Sequence, residues 1–293
     1  GRIRGSRTVL HGRKYDRNLH VRGVVGLPIS VFRFAAFADY RAFITQMRRQ
    51  LRQRGFMPAA MFFERHEAKE GLLTEKLLEA KVDSVIWLSP DRECRETVKP
   101  LGDAGVRVLV VSDYMLTSIP CRYQISRENA LRTILREWRT TGLTSTVVVG
   151  DPRGRSALDE ERCHAASVEE KLPCRMLLLE TARLRQTLKA LPRERSGILL
   201  TASAAALCAL RTPDAFWQLM RKRRVALVDG PISLLFGKGP AIAVDLITVN
   251  WQSVAGRIVS DLITQVAWTK TEPLVFHAEA LLGVALNRFC REL

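Results

Sequence analysis

Residues Val82–Pro90 read VDSVIWLSP, an apolar run that ends on a serine and a proline. A run without strict alternation of polar and apolar residues is typical of a strand that helices cover on both faces. Helix-like stretches separate this run from five others of the same kind: Val21–Ser30, Val106–Asp113, Ser145–Asp151, Gly197–Ser203 and Arg224–Gly230. Because successive βαβ units produce this alternation, the sequence predicts an α/β protein with parallel sheets.

The second half of the chain repeats the alternation of the first. Ser126 is predicted to cap a helix in which Leu131, Ile134, Leu135 and Trp138 keep helical spacing until Gly142. We expect two Rossmann-like lobes that form a clamp with a cleft between them. Residues 22–141 with about 250–275 would form the N-terminal lobe, residues 142–249 with about 276–293 the C-terminal lobe, and residues 1–21 a basic linker or tail.

Composition narrows the class of protein. A hydrophobic share of 47% is ample for a core. We expect no membrane contact, because no apolar run approaches the roughly 20 residues of a membrane helix. Gly1–Arg22 is too polar for a secretory signal, and the six cysteines show no CxxC spacing, so the sequence indicates a cytoplasmic protein with reduced thiols.

The net charge of +16 comes mostly from arginine. Contact with a polyanion is one interpretation of this charge. Two arginine-rich clusters, Arg48–Arg54 and Arg221–Arg224, each fall near the end of a predicted helix. Cations there complement the helix dipole, and this local explanation is favoured over nucleic-acid binding. Neither cluster is interleaved with aromatic residues in the way of a single-strand binding groove.

The usual catalytic signatures are absent from the sequence. It contains no GxSxG, HExxH or GxGxxG motif, and its five histidines never pair at metal-ligand spacing. We therefore predict no enzymatic activity, no metal and no cofactor. A Rossmann-like hydrolase or transferase stays open as an alternative, since Asp113, Asp151 and Asp229 are all expected at the carboxyl ends of strands.

Several ordered pieces of the chain resemble the effector-binding region of the LacI/GalR family of bacterial repressors. Leu77–Ile86 is similar to that family's leucine-rich helix leading into "VDGII", and Val106–Asp113 is similar to "IPVVLVD". Further pieces follow in the same order: Ile125–Ala130 with Gly142, Val147–Pro152 with Arg162, Ala226–Asp229, and Asp245–Val249 with Gly256. The resemblance spans about Arg22 to Val266 and implies the fold of the periplasmic sugar-binding proteins.

The resemblance also implies a ligand site between the lobes, at the carboxyl ends of the strands. Ser30 and Phe32 would line the loop after the first strand, Asn129 and Arg162 would contact polar groups of the ligand, and Asp229 would accept hydrogen bonds from hydroxyls. Trp251 would stack on the ligand, with core packing as the alternative. The predicted ligand-binding set is Ser30, Phe32, Asp113, Asn129, Arg162, Ser203, Asp229 and Trp251.

Two departures from the family pattern qualify what the resemblance implies. The family's "ND" pair is replaced here by Ala202-Ser203, which removes an amide and a carboxylate and leaves two alternatives, an effector less polar than a typical sugar or no effector. In addition, only about twenty residues precede the first strand, so we expect a DNA-binding domain upstream of Gly1, of helix-turn-helix or GntR-type winged-helix kind.

The resulting hypothesis is the sensory and dimerisation domain of a cytoplasmic transcription regulator, expected to be a repressor. It would bind a sugar or related small molecule, contact DNA through the upstream domain, and form a homodimer. The alternative of the same fold is a periplasmic-type solute-binding receptor.

Overall fold

The computed structural model describes residues 21–36, 38–90, 95–112, 121–150, 160–179, 183–189, 191, 195–201, 204–205, 208, 211–228, 242–264 and 272–285. Within them, two mainly parallel six-stranded sheets are surrounded by helices, as the sequence predicts. Aspartates 113, 151 and 229, the side chain of Arg162, and Ser203 lie outside the described residues.

The first sheet has the strand order β2-β1-β3-β4-β5-β11, and all of its strands are parallel. Its strands are β1 (Val24–Ser30), β2 (Met57–Phe63), β3 (Ser84–Leu88), β4 (Arg107–Ser112), β5 (Tyr123–Ser126) and β11 (Leu274–His277). The helices between them are α1 (Val31–Ala36), α2 (Ala38–Gln53), α3 (Arg65–Lys69), α4 (Leu72–Glu79) and α5 (Arg95–Asp103).

The second sheet repeats this order as β7-β6-β8-β9-β10-β12, with β12 antiparallel to β10. Its strands are β6 (Ser145–Gly150), β7 (Cys174–Leu178), β8 (Ser196–Thr201), β9 (Val225–Val228), β10 (Ala243–Thr248) and β12 (Glu279–Ala285). The remaining helices along the chain are α6 (Glu128–Thr140), α7 (Glu160–Glu169), α8 (Leu184–Lys189), α9 (Pro213–Lys222) and α10 (Trp251–Thr264), the last of which returns to the first lobe. The predicted repetition of the first half by the second is thus confirmed.

All six apolar runs of the sequence contain strands, whereas β11 and β12 are additions that the sequence analysis lacks. Residues 279–285 read EALLGVA, which is poor in β-branched residues and therefore carries a weak strand signal. Strand β12 forms because its backbone pairs with the edge of β10, from Thr248 opposite Glu279 to Ala243 opposite Ala285.

The prediction that Ser126 caps α6 is wrong. Ser126 is the last residue of β5, and Arg127 holds the N-cap position without a side-chain cap. Pairing of Ser126 with His277 extends the strand to this residue, because the backbone ladder satisfies its polar groups. A single residue therefore separates the strand from the helix.

Helices α2 and α10 pack side by side in the first lobe, where Phe43 and Trp251 meet edge to face with ring centroids 5.5 Å apart. Helix α6 instead lies against β10, β12 and α7 of the second lobe. Its buried side chains, Ala130, Leu131, Ile134, Leu135 and Trp138, follow the predicted helical spacing. One hydrophobic core includes residues of both sheets and of these three helices, so the lobes share apolar packing.

Salt bridges fix α6 to the end of α7. Arg136 forms a two-point ion pair with the buried carboxylate of Glu170, at 2.7 Å and 3.2 Å, and Arg132 binds Glu169 at 2.6 Å. Two-point guanidinium–carboxylate pairs are the strong form of this interaction. Helices α6 and α7 are therefore expected to move together.

Candidate functional site

The carboxyl ends of the two sheets lie next to each other, because the chain crosses between the lobes there. Strand β11 ends at His277 in the first sheet, and β12 begins at Glu279 opposite Thr248, the last residue of β10 in the second sheet. The buried Ala278 alone separates them, and its amide donates to the carbonyl of Ser126 at 2.8 Å. This hydrogen bond holds the connection that follows β5 beside the connection that follows β11, and the two form one narrow hinge between the lobes.

Three crossings connect the lobes, and all are short. Arg127 bridges β5 and α6, Val249 and Asn250 bridge β10 and α10, and Ala278 bridges β11 and β12. Each crossing leaves the carboxyl end of a strand. Two parallel sheets joined in this way turn their carboxyl edges toward each other, which is where open α/β sheets bind ligands.

Five of the described strands end at these edges on a residue with a hydroxyl group. Ser30 ends β1, Ser112 ends β4 and Ser126 ends β5, while Thr201 and Thr248 end strands of the second sheet. Ser112 and Thr201 are buried, and the other three are partly exposed. Hydroxyls both donate and accept, so this edge suits an uncharged ligand with several polar groups.

The structure places four of the predicted site residues, and all four adjoin this edge. Ser30 is partly exposed and its amide donates to Tyr40 Oη at 3.1 Å. Phe32 lies on α1 with 53% of its surface exposed. Asn129 is exposed in the first turn of α6, where its Oδ1 accepts a long hydrogen bond of 3.5 Å from Arg132.

Trp251 is the fourth of these residues. Only 6% of its surface is exposed, and its contact with Phe43 accounts for that burial. Ligand contact by all four residues stays a prediction, as it does for Asp113, Arg162, Ser203 and Asp229.

Ser89 is a polar residue of this edge that the predicted set lacks. It directly follows β3, its φ is +46°, and its residue is 2% exposed. Among the described residues its hydroxyl finds no hydrogen-bond partner. A left-handed backbone at a non-glycine residue is strained, and such strain concentrates at functional sites. The polar residue before Pro90, at the end of an apolar run, was the available signal in the sequence.

Arg127 is a second residue absent from the predicted set. It occupies a crossing, its side chain is 2% exposed, and its Nη2 lies 3.7 Å from Asp39 Oδ2 at the start of α2. A buried guanidinium is costly unless acids and hydrogen-bond acceptors surround it. Sequence reasoning had no signal for this role, because arginine is rarely buried.

The part of the chain that the structure describes contains neither a candidate metal-ion site nor a candidate membrane-spanning helix. No group of three or more His, Cys, Asp and Glu side chains there is arranged to hold a metal ion. No helix among those residues is long and apolar enough to cross a membrane. Burial raises the pKa of the Cys208 thiol to about 12.

Solved structures of binding proteins share this architecture. The sequence matches no family model and no curated protein. The Lac repressor bound to ONPG is 14% identical, with a TM-score of 0.66 over 88% of this chain and 80% of that one. The transcriptional regulator CelR in complex with cellobiose is 18% identical, with a TM-score of 0.64 over 89% of this chain and 83% of that one.

A transporter component shares the architecture equally. An ABC transporter solute-binding protein from Agrobacterium vitis with bound allitol is 14% identical, with a TM-score of 0.63 over 92% of this chain and 99% of that one. The chain therefore has the type I periplasmic-binding-protein fold, which effector domains of LacI-family regulators share with solute-binding proteins. These structural neighbours are regulators and binding proteins, not enzymes.

Proposed function

We propose that this chain is the effector-sensing and dimerisation domain of a bacterial transcription regulator of the LacI/GalR kind. A small molecule would bind between the lobes and change the DNA affinity of an upstream domain. The observation that carries the proposal is the set of three short crossings, which brings the carboxyl edges of both sheets together. A ligand that binds the closed form better than the open form would supply the energy of the switch.

The effector that fits the described edge is a sugar or a related neutral molecule. The neighbouring structures contain cellobiose, ONPG and allitol, which are rich in hydroxyl groups. Here the edge offers serine and threonine hydroxyls together with the exposed ring of Phe32. We infer an effector that presents both hydroxyls and an apolar face.

Replacing Asn129 by alanine is expected to weaken effector binding about two- to tenfold for each hydrogen bond lost. The exposed amide at the start of α6 is placed to bind ligand hydroxyls, and each such hydrogen bond contributes about 0.5–1.5 kcal/mol. Calorimetry with a panel of mono- and disaccharides, polyols and nucleosides identifies the effector and measures its affinity. Thr140→Ala, at the far end of the same helix, is the matched control. Equal affinity in all three proteins would exclude Asn129 from the site.

The proposed homodimer is supported by an uncharged edge strand. Strand β2 pairs only with β1, and its residues MPAAMFF contain no charge. Met57 is 58% exposed and Phe62 is 50% exposed. Apolar patches of this kind on a soluble protein mark interaction surfaces. A second copy that packs on this strand would bury both side chains.

Phe62→Lys is therefore expected to convert the dimer to a monomer. Like charges from the two copies would meet near the two-fold axis of such a dimer. Light scattering coupled to size exclusion measures the mass. Val168→Lys, at an exposed position on α7, is the control and is expected to stay dimeric. A wild-type monomer at micromolar concentration, or an unchanged mass for Phe62→Lys, would contradict this interface.

A periplasmic-type solute receptor is the second candidate, favoured by the likeness to the allitol-bound transporter protein. The two functions differ in what the full-length gene product does. A regulator binds promoter DNA, and its effector changes that affinity. A receptor is exported and leaves DNA unbound. Gel-shift and fractionation experiments on the full-length product distinguish them.

A further inference from the structure

The described arginines fall into two groups with different surroundings. Those that join secondary-structure elements are paired: Arg132 with Glu169, Arg136 with Glu170, and Arg224 with Asp245. These salt bridges explain why those arginines occupy their positions. The second group consists of arginines that form no salt bridge with a described residue.

Part of this second group lies at the amino edge of the first sheet, the edge opposite the hinge, while other members, such as Arg175 and Arg211, lie in the second lobe. Helix α2 returns from the carboxyl edge to the amino edge, so its last turns end there. The amide of Arg22, just before β1, donates to the carbonyl of Gly55 at 2.9 Å, which places Arg22 beside the end of α2. We call this surface the basic end; its cations are Arg22, Arg48, Arg49, Arg52, Arg54, Lys81 and Arg107.

None of these cations forms a salt bridge with another described residue. All are exposed except Arg107, which is partly exposed. The exposed acids at the same edge are Glu79, Asp83, Asp103 and Glu272. Seven cations thus face four acids without forming salt bridges to them, and the basic end keeps an excess of positive charge.

Helix-dipole stabilisation explains little of this pattern. Of the α2 arginines only Arg52 lies in the last helical turn, and the dipole effect fades beyond that turn. Arg48 and Arg49 lie before it, while Arg22 and Arg107 belong to other segments. The helix dipole, which the sequence analysis favours as the explanation, therefore accounts for Arg52 alone among these cations.

The guanidinium groups of the basic end suit an anionic group. A depression of about 380 Å³ between Arg22 and Arg107 is also lined by the acid Asp83, so the depression itself is not assigned to a phosphate. The guanidinium group is planar and binds two phosphate oxygens at once. No exposed aromatic side chain lies among the described residues of this surface, which argues against stacking on unpaired bases.

We propose that the basic end binds the phosphate backbone of duplex DNA, without base specificity. The contact is made by this chain itself, and so it goes beyond the proposed function, in which an upstream domain binds DNA. Each neutralised phosphate releases counterions, so affinity depends steeply on salt. The contact would hold the first lobe against DNA that flanks the site read by the upstream domain.

The test measures binding of this chain to a fluorescently labelled duplex of about 30 base pairs with random sequence. Anisotropy titrations at about 50, 100 and 200 mM salt give the affinity and its salt slope. The triple variant R48Q/R49Q/R52Q is expected to bind at least tenfold more weakly at the lowest salt. Its salt slope is expected to fall by about 3, since each lost phosphate contact removes about 0.9.

A matched control removes the same charge elsewhere. R175Q/R211Q/R221Q changes three exposed arginines of the second lobe that make no ion pair with described residues. It is expected to bind DNA within about twofold of the wild type. Circular dichroism and thermal melts confirm that both variants fold.

Three outcomes would overturn the proposal: no binding by the wild type at about 50 mM salt, equal weakening by both triple variants, or a preference for phosphatidylserine vesicles over DNA. Equal weakening would assign the effect to net charge alone. Effector calorimetry on the same proteins is independent of DNA, so the proposed sensing function can fail or hold separately.

Discussion

Asp245→Ala is expected to lower the free energy of unfolding by about 3–5 kcal/mol, the cost of breaking a buried ion pair by removing one partner. The Asp245 carboxylate is fully buried and accepts four hydrogen bonds. Its donors are Trp138 Nε1 at 2.6 Å, Arg224 Nε and Nη2 at 2.8 and 3.1 Å, and the Gly283 amide at 2.8 Å. One carboxylate thus ties α6, the start of β9 and β12 together.

The effect follows from what the substitution leaves behind. Without Asp245, the guanidinium of Arg224, whose pKa is raised by its hydrogen bonds to this carboxylate, loses its counter-charge. The indole N–H of Trp138 and the amide of Gly283 also lose their acceptor. Buried donors without partners cost about 1–3 kcal/mol each.

Urea denaturation followed by circular dichroism measures this change. Glu79→Ala, an exposed acid at the end of α4, is the control and is expected to stay within about 0.5 kcal/mol. If Asp245→Ala does not fold, Arg224→Met supplies a milder test, because Arg224 is partly exposed and two donors to the carboxylate remain. Unchanged stability in both variants would contradict the assigned role of the carboxylate.

Gly197→Ala is expected to destabilise the second lobe by about 3 kcal/mol through overpacking. A Cβ at position 197 would lie 2.1 Å from Cε3 and 2.2 Å from Cζ3 of Trp138. An indole ring cannot yield at these atoms without moving as a whole. Such a movement would also break the hydrogen bond from Trp138 to Asp245.

A double-mutant cycle with Trp138→Leu isolates the clash. Trp138→Leu alone loses packing and a hydrogen bond, but it also removes the ring atoms that the new Cβ would strike. The cost of Gly197→Ala is therefore expected to fall by about 1–3 kcal/mol in the Trp138→Leu background. Additive losses would mean that Trp138 does not lie over Gly197.

Gly256→Ala is the matched control for this cycle. It lies inside α10 with no heavy atom within 4 Å of an added Cβ. Alanine is expected to stabilise the helix there by about 0.5–1 kcal/mol. A loss at both glycines would indicate a general intolerance to alanine instead of a local clash.

Much of the fold was predictable because buried parallel strands produce strong local signals. Runs such as Val82–Pro90 and Ser145–Asp151 are apolar on both faces, and the helices between them keep a clear period, as in Leu131, Ile134 and Trp138. Strand β12 escaped because its alanines and leucines have little preference for strands. Tertiary pairing with β10 decides its conformation.

The candidate site was predictable only in part. The rule that ligands lie at the carboxyl ends of parallel strands predicted the edge and Ser30, and the family resemblance added Asn129, whose ligand contact stays a prediction. Buried charges such as Arg127 and Asp245 escaped, because their partners lie far away in sequence. Trp138 and Asp245 lie 107 positions apart in the chain, so no local sequence pattern indicates that they are hydrogen-bonded.

The central claim is that an effector binds between the carboxyl edges of the two sheets. A crystal structure of this chain grown with the effector found by calorimetry tests it most directly. We expect the molecule to lie between the lobes, in contact with Asn129 and with the partly exposed hydroxyls that end β1 and β5. Effector density anywhere else, or side chains that fill the space between the two edges, would contradict the claim.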